Sequence, residues 1–149
     1  MGLASRTKGQ AGERELAHLL ACELGADVRR RCRQHPNDSD LLGIDGWAIE
    51  CKRVKSAPRG DVATWWRQCV GQSQANGELP ALFVRADRSP WRCIWPALVL
   101  IGGTHTDEWL AFEWTAESSL QTWCAVVREY AAAAAARERV PACEEASDD

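Results

Sequence analysis

Residues 40–52, with the sequence DLLGIDGWAIECK, form the stretch around which the fold is organised. Asp45 and Gly46 stand between two apolar runs, and an Asp-Gly pair in that position is a strong signal for a tight β-hairpin. The pattern therefore predicts a short strand over residues 41–44 and a longer strand over residues 47–54.

Polar side chains stand at defined places on this predicted hairpin. Glu50 and Lys52 are two residues apart on the second strand, so both side chains point to the same face. Asp40 directly precedes the first strand, and pairing of the two strands can bring it beside Glu50. Two carboxylates and one ammonium group are thus predicted to converge on one point.

Such a group suits a hard divalent cation. Neighbouring carboxylates repel each other, and Mg²⁺ prefers oxygen ligands of this kind. We expect Asp40 and Glu50 to bind the metal, with the backbone carbonyl of Cys51 as a further ligand and Lys52 directed at a phosphate or a water. The spacing is loose, however, and a surface hairpin with scattered charges fits it too. Asp38 is close enough to Asp40 to compete for the catalytic role.

The segment before the hairpin predicts an amphipathic helix over residues 8–24, with Thr7 and Gln10 as a capping box. Glu13 lies on the apolar stripe of this helix and is expected to face the sheet. Glu15 is about 200° further around the helix and is expected to be exposed. An inward-facing acid needs a partner, and a metal beside Asp40 would supply one. The alternative is that Glu13 only complements the helix dipole.

The segment after the hairpin predicts a second helix, over residues 62–76, with Asp61 as its cap. Gln68 lies on this helix and could bind a water or a phosphate near the metal, although an exposed polar position explains it equally well. Trp65 and Trp66 are more typical of a core than of a surface on which bases stack.

The remaining segments complete an α-β-β-β-α-β-β-β-α order, which predicts one α/β domain over residues 1–139 with a central mixed sheet flanked by helices. Residues 140–149 are expected to form an acidic, disordered tail. The other predicted strands cover residues 27–33, 82–85, 91–95 and 109–114, and the last helix covers residues 118–139.

Charge is distributed unevenly along the chain. The net charge is −3, but residues 1–67 carry 12 Lys/Arg and 9 Asp/Glu, whereas residues 68–149 carry 6 and 12. Basic residues flank the predicted acidic site, and such residues supply most of the sequence-independent affinity for DNA. A merely solvated surface would show the same asymmetry. The candidate DNA-binding residues are Lys8, Arg29, Arg30, Arg31, Arg33, Arg53, Lys55 and Arg59.

The seven cysteines contain no C-x-x-C pair, which argues against a zinc knuckle. We expect free thiols, mostly buried, in a reducing cytoplasm. No apolar run approaches the length that crosses a bilayer, and the first residues lack the apolar core of a secretory signal. These features predict a cytoplasmic protein with no membrane partner.

Taken together, these residues resemble the PD-(D/E)XK nuclease superfamily, and more narrowly the Holliday junction resolvase-like endonucleases of archaea and of phages or prophages. The resemblance covers about residues 6–95. It departs from the common signature at Ser39, where proline is frequent. The segments that carry it are KGQAGEREL (8–16), SD (39–40), IECK (49–52), WWRQ (65–68), PALFVR (80–85) and DRSPW (87–91).

The resemblance implies a restriction-endonuclease-like domain, Mg²⁺ dependence with Mn²⁺ as a substitute, and hydrolysis of DNA phosphodiester bonds. It also implies that Glu13 joins Asp40 and Glu50 as a metal ligand, and that the protein is a homodimer, because two symmetric nicks need two sites. Three functions remain open: cleavage of branched DNA such as four-way junctions, cleavage of another DNA substrate, and DNA binding without catalysis. The intact set of Glu13, Asp40, Glu50 and Lys52 argues against the last, because pure binding needs no clustered acids.

Overall fold

The computed structural model describes residues 3–32, 35, 38–101 and 107–139. The predicted tail at 140–149 and the candidate Arg33 lie outside these residues. The helices are α1 (Leu3–Leu24), α2 (Arg59–Asn76) and α3 (Leu120–Glu138). The strands are β1 (Arg29–Arg30), β2 (Leu41–Leu42), β3 (Trp47–Val54), β4 (Leu79–Ala86), β5 (Arg92–Pro96) and β6 (Thr115–Ser119).

The six strands form one mixed sheet in the order β1-β2-β3-β4-β5-β6. Only β3 and β4 are parallel, and α2 makes the crossover between them. All other neighbours are antiparallel. Strand β2 meets β3 only where Leu41 pairs with Ile49. In the described part of the chain, the half of β3 from Glu50 to Val54 is therefore paired with β4 on one side alone, and this open edge positions the site.

The helices cover both faces of the sheet, as the sequence predicts. Helices α1 and α3 share one apolar cluster, in which Leu16, Leu20 and Trp123 are fully buried. Helix α2 packs on the opposite face through Trp66 and Cys69, so the prediction of a core role for Trp66 is confirmed. Within the described ranges, no helix is long and apolar enough to cross a membrane.

The predicted starts of the first two helices are wrong. Helix α1 begins at Leu3 rather than at residue 8, because no glycine or proline between residues 3 and 8 interrupts it. The Thr7 capping box therefore lies inside a helix. Helix α2 begins at Arg59 after Pro58, which has extended backbone. Asp61 is not the cap but lies in the first turn, where its charge complements the helix dipole.

The predicted strand over residues 109–114 is also wrong. Those residues lie mainly in two 3₁₀ turns, Asp107–Leu110 and Phe112–Trp114. The carbonyl of Leu110 accepts a hydrogen bond from the indole N–H of Trp66 at 2.7 Å, which holds the segment over α2. The strand follows as β6, whose polar sequence TAESS lies at the sheet edge and shows no apolar alternation.

Other element boundaries differ less. Strands β1 and β2 each have two residues, so they are shorter than the predicted strands over 27–33 and 41–44. Helix α3 begins two residues later than predicted, because the Ser119 hydroxyl accepts a hydrogen bond from the backbone N–H of Thr122 at 3.1 Å and caps the helix.

Candidate active site

Asp40 is held at the open edge of β3 by two hydrogen bonds. Its backbone N–H donates to the carbonyl of Ile49, and its carboxylate Oδ2 accepts from the backbone N–H of Cys51, both at 2.8 Å. The side chain thus accepts a backbone hydrogen bond of β3 at the point where the backbone pairing of β2 with β3 ends. Asp40 is 3 % exposed, so this bond satisfies a carboxylate that is almost fully buried.

The competing Asp38 is used differently. Its carboxylate accepts hydrogen bonds from the backbone N–H of His35 at 3.0 Å and from the guanidinium of Arg31 at 3.2 Å. Asp40 lines the cleft described below, and Asp38 is not among the lining residues. The geometry favours Asp40 over Asp38 as the candidate acid.

Glu50 and Lys52 project from the same face of β3, as the two-residue spacing predicts. Lys52 Nζ donates to Glu50 Oε1 at 2.7 Å. Glu50 is 0 % exposed, and a buried carboxylate is tolerated when a cation and hydrogen bonds compensate it. Gln68 on α2 completes the group, because its Oε1 accepts from Lys52 Nζ and its Nε2 donates to Glu50 Oε1, both at 3.4 Å.

Glu13 reaches the same cleft from α1, on the other face of the sheet. Its side chain is 18 % exposed, and its carboxylate forms an ion pair with Arg30 Nε. The hydrogen bond that Arg30 donates to Glu13 raises the pKa of Arg30 above its ordinary value. The inward direction predicted for Glu13 is therefore confirmed, and its observed partner is a guanidinium from β1.

One cleft of about 740 Å³ is lined by Glu13, Arg30, Asp40, Glu50 and Lys52, but not by Gln68, and extends around the open edge of β3. Its lining residues are Arg6, Gly9, Gln10, Glu13, Arg30, Asp40, Glu50, Cys51, Lys52, Arg53, Val54 and Trp65. Arg6 and Gln10 were not predicted to lie at the site. Both stand at helical spacing from Glu13, at seven and three residues, and that spacing is the signal that would have found them.

The expected convergence of three carboxylates on one ion is not present. In the described part of the chain, no group of three or more His, Cys, Asp or Glu side chains is arranged to hold a metal. The reason is that Glu13 is paired with Arg30, whereas Glu50 is paired with Lys52 on the opposite face. Asp40 and Glu50 nevertheless border one cleft with carboxylate oxygens, a donor set that fits a hard divalent cation.

The prediction that Glu15 is exposed is wrong, because its side chain is only partly exposed and is held by three partners. Its carboxylate accepts hydrogen bonds from Arg53 at 3.2 Å, from Arg85, and from the indole N–H of Trp91 at 3.2 Å. One turn earlier, Gly12 lies so close to the sheet that a Cβ there would stand 2.7 Å from the Cβ of Arg53. This packing fastens α1 to β3 and β4 and so determines how Glu13 approaches the cleft.

Most of the candidate DNA-binding residues already have partners within the chain. Lys8 pairs with Asp87 at 2.6 Å, which lowers the pKa of that carboxyl. Arg30 and Arg53 hold Glu13 and Glu15. The others pair as Arg29 with Asp27 at 2.6 Å, Arg31 with Asp38 at 3.2 Å, and Arg59 over the Phe112 ring at 5.0 Å, whereas Lys55 is exposed.

Comparison with known proteins places the chain in a class. The family described as phage putative PDDEXK endonuclease matches residues 4–122, and the chain belongs to it. The predicted superfamily and the nuclease class are therefore confirmed. A search of curated proteins found no match.

Among solved structures, the chain is similar to the Holliday junction resolvase Hjc of the archaeal hyperthermophile Archaeoglobus fulgidus. The two are 24% identical, with a TM-score of 0.44, over 58% of this chain and 70% of that chain.

Proposed function

We propose that this protein is a divalent-metal-dependent DNA endonuclease that hydrolyses phosphodiester bonds in branched DNA. The observation that carries the proposal is the group at the open edge of β3, where Asp40, Glu50 and Lys52 line one cleft and Gln68 contacts the last two. A site that only binds DNA gains nothing from two buried carboxylates, since these repel phosphate.

Asp40 and Glu50 would hold the metal, with the carbonyl of Cys51 between them and Glu13 at the α1 side of the cleft. When bound, Mg²⁺ or Mn²⁺ supplies Lewis acidity toward a phosphate oxygen and lowers the pKa of a coordinated water. The carboxylate oxygens of Asp40 and Glu50 and the carbonyl oxygen of Cys51 suit such an ion better than they suit a soft metal.

The chain's own residues supply the remaining chemistry. Lys52 pairs with the buried Glu50 at 2.7 Å, and its Nζ can donate to a phosphate oxygen at which charge develops. Gln68 contacts both Lys52 and Glu50, so it limits the freedom of the ammonium group. Arg6 and Arg53 border the cleft and add positive charge where a DNA backbone would enter.

Branched DNA is proposed as the substrate because the sequence segments at 8–16, 39–40 and 49–52 resemble those of junction resolvases. Two symmetric nicks in a four-way junction need two active sites, which a homodimer supplies. We place this activity in the cytoplasm, on the DNA of a bacterium or phage. A nicking or end-processing nuclease would use the same residues on linear DNA, and the substrate panel described below separates the two.

The test uses the purified full chain with Mg²⁺ or Mn²⁺ on end-labelled four-way junctions, flaps, linear duplex and single strands. We expect paired nicks at the junction that EDTA abolishes and that Asp40→Asn and Lys52→Ala each remove. Asp45→Asn is the matched control, because Asp45 is an exposed acid in the same hairpin. Equal cleavage of all substrates would favour the linear-DNA alternative, and no cleavage of any substrate would overturn both.

A further inference from the structure

A small apolar groove lies between the 3₁₀ turn Ala97–Ile101 and the C-terminal half of α3. Its volume is about 250 Å³, and its lining residues are Val99, Leu100, Glu129, Tyr130, Ala133, Ala134 and Arg137. At its border, Leu100 is 62 % exposed and Ile101 is 74 % exposed. Large apolar side chains this exposed and next to each other are typical of a surface that a partner covers.

Two opposite charges frame this groove without neutralising each other. Glu129 and Arg137 are eight residues apart on α3, about 12 Å along the helix axis, which is too far for an ion pair within one helix. Among the described residues, neither one forms a salt bridge. Most of the basic residues around the active-site cleft, by contrast, do form one.

The arrangement is complementary to itself. Ala133 stands midway between Glu129 and Arg137, four residues from each. A second α3 running antiparallel and crossing at Ala133 would place Glu129 opposite Arg137 of the partner subunit and Arg137 opposite the partner's Glu129. Pairing of one patch with its own copy is the requirement of a two-fold symmetric interface.

We propose that this surface, formed by the C-terminal half of α3 and the turn Ala97–Ile101, joins two copies of the chain into a two-fold symmetric dimer. Alanines at the crossing allow the helix axes to approach to the short end of the usual range, about 8 Å. The approach covers Leu100 and Ile101 of both copies. DNA does not fit the same surface, because its uniform negative charge meets Glu129 as well as Arg137.

The interface is small, and its strength follows from its size. Two helical turns and a short apolar turn on each copy bury less than the roughly 1,200 Å² at the lower end of stable interfaces. Interfaces of that size are typical of weak, transient complexes, so we expect a micromolar dissociation constant, about 1–100 µM. The proposal concerns the dimer that the proposed function needs, but association can be measured without DNA or metal, so the two can fail separately.

Sedimentation equilibrium of the full chain from about 1 to 300 µM, in EDTA, tests the surface. We expect a concentration-dependent dimer in the wild type and a monomer in both Glu129→Arg and Arg137→Glu, since each reversal opposes like charges across the axis. The exchange variant E129R/R137E should restore the dimer to within a few-fold of the wild-type dissociation constant. No rearrangement within one helix can produce that rescue, because the two positions do not reach each other.

Glu108→Arg is the matched control, as the same charge reversal at an exposed residue of another element. Circular dichroism verifies that each variant keeps its helices. A wild type that stays monomeric to 300 µM, or a dimer that both single reversals leave intact, would overturn the proposal. If the wild type and the exchange variant dimerise but no DNA substrate is cut, the surface stands and the proposed nuclease function fails.

Discussion

The carboxylate of Asp40 accepts a hydrogen bond from the backbone N–H of Cys51 at 2.8 Å, two residues beyond Ile49, the last residue of β3 that pairs with β2. This bond substitutes for a strand partner, and it places an acid in the cleft that Glu50 also lines, at a sheet edge that the described chain leaves open. Position and charge of Asp40 can be separated experimentally, because an asparagine oxygen can accept the same bond.

Asp40→Asn should reduce cleavage by at least about 100-fold with little loss of stability, because it removes the charge and keeps the acceptor. Asp38→Asn should change cleavage only a few-fold, since Asp38 bonds to Arg31 and His35. Single-turnover cleavage rates and thermal unfolding of the two variants measure both effects. A larger loss from Asp38→Asn than from Asp40→Asn would transfer the catalytic role to Asp38.

Gln68→Ala should lower the cleavage rate by about 10-fold, because Lys52 and Glu50 lose the amide that contacts both. The rate at saturating substrate should fall more than the apparent affinity for DNA. Gln74→Ala serves as control, since Gln74 lies on the same helix and bonds to Asp107 instead. Cleavage unchanged in Gln68→Ala would show that Gln68 is only a surface residue.

Glu15→Gln should lower the free energy of unfolding by about 1–2 kcal/mol, because charged hydrogen bonds from two arginines and an indole lose their strength. The side chain is 34% exposed, so solvent limits the effect. Urea denaturation measures it, with Glu23→Gln as an exposed control on the same helix. Equal stability of the two variants would contradict the structural role of Glu15.

The reactivity of each cysteine thiol toward alkylation should decrease as its burial increases. Burial raises the pKa of the Cys69 and Cys93 thiols, so both should resist alkylation at pH 8, whereas the exposed Cys22 and Cys32 react. Alkylation followed by peptide mapping identifies each site, and rapid labelling of Cys93 in the folded protein would contradict its buried position.

The same shifts predict how stability depends on pH. The pKa of the Cys69 and Cys93 thiols in the folded protein lies above their unfolded value of about 8.5. The stabilisation from burying these neutral thiols is therefore complete below that pH and declines as the pH rises above it. Urea denaturation at pH 7.5 and 9.5 should show the lower stability at the higher pH. Equal stability at both values would argue against buried neutral thiols.

Local patterns were sufficient for much of the site. The positions of Glu50 and Lys52 on one face follow from the two-residue period of a strand. The inward direction of Glu13 follows from the helical period of α1. The placement of Gln68 on a helix follows from a segment whose end at Asn76 is clearly marked, although its start was predicted three residues too late. These properties depend on neighbours within a few residues, so the sequence alone predicts them.

Long-range pairing explains the errors. The polar strand β6 has no alternation of its own and exists because β5 offers it a partner. Glu15 appeared exposed because its arginine partners, Arg53 and Arg85, are 38 and 70 residues away along the chain. Neither relationship leaves a mark in the local sequence.

The α/β class and the acids and lysine of the candidate site could be predicted from the sequence, because they follow from local periodicity and turn chemistry. The last strand, β6, could not be placed in this way. Only the tertiary structure decided that Glu13 pairs with Arg30 and that Asp40 binds the N–H of Cys51. Ion pairs and edge hydrogen bonds depend on which distant side chains the packing brings together. These contacts therefore depend on the packing of the whole chain and cannot be read from any one segment.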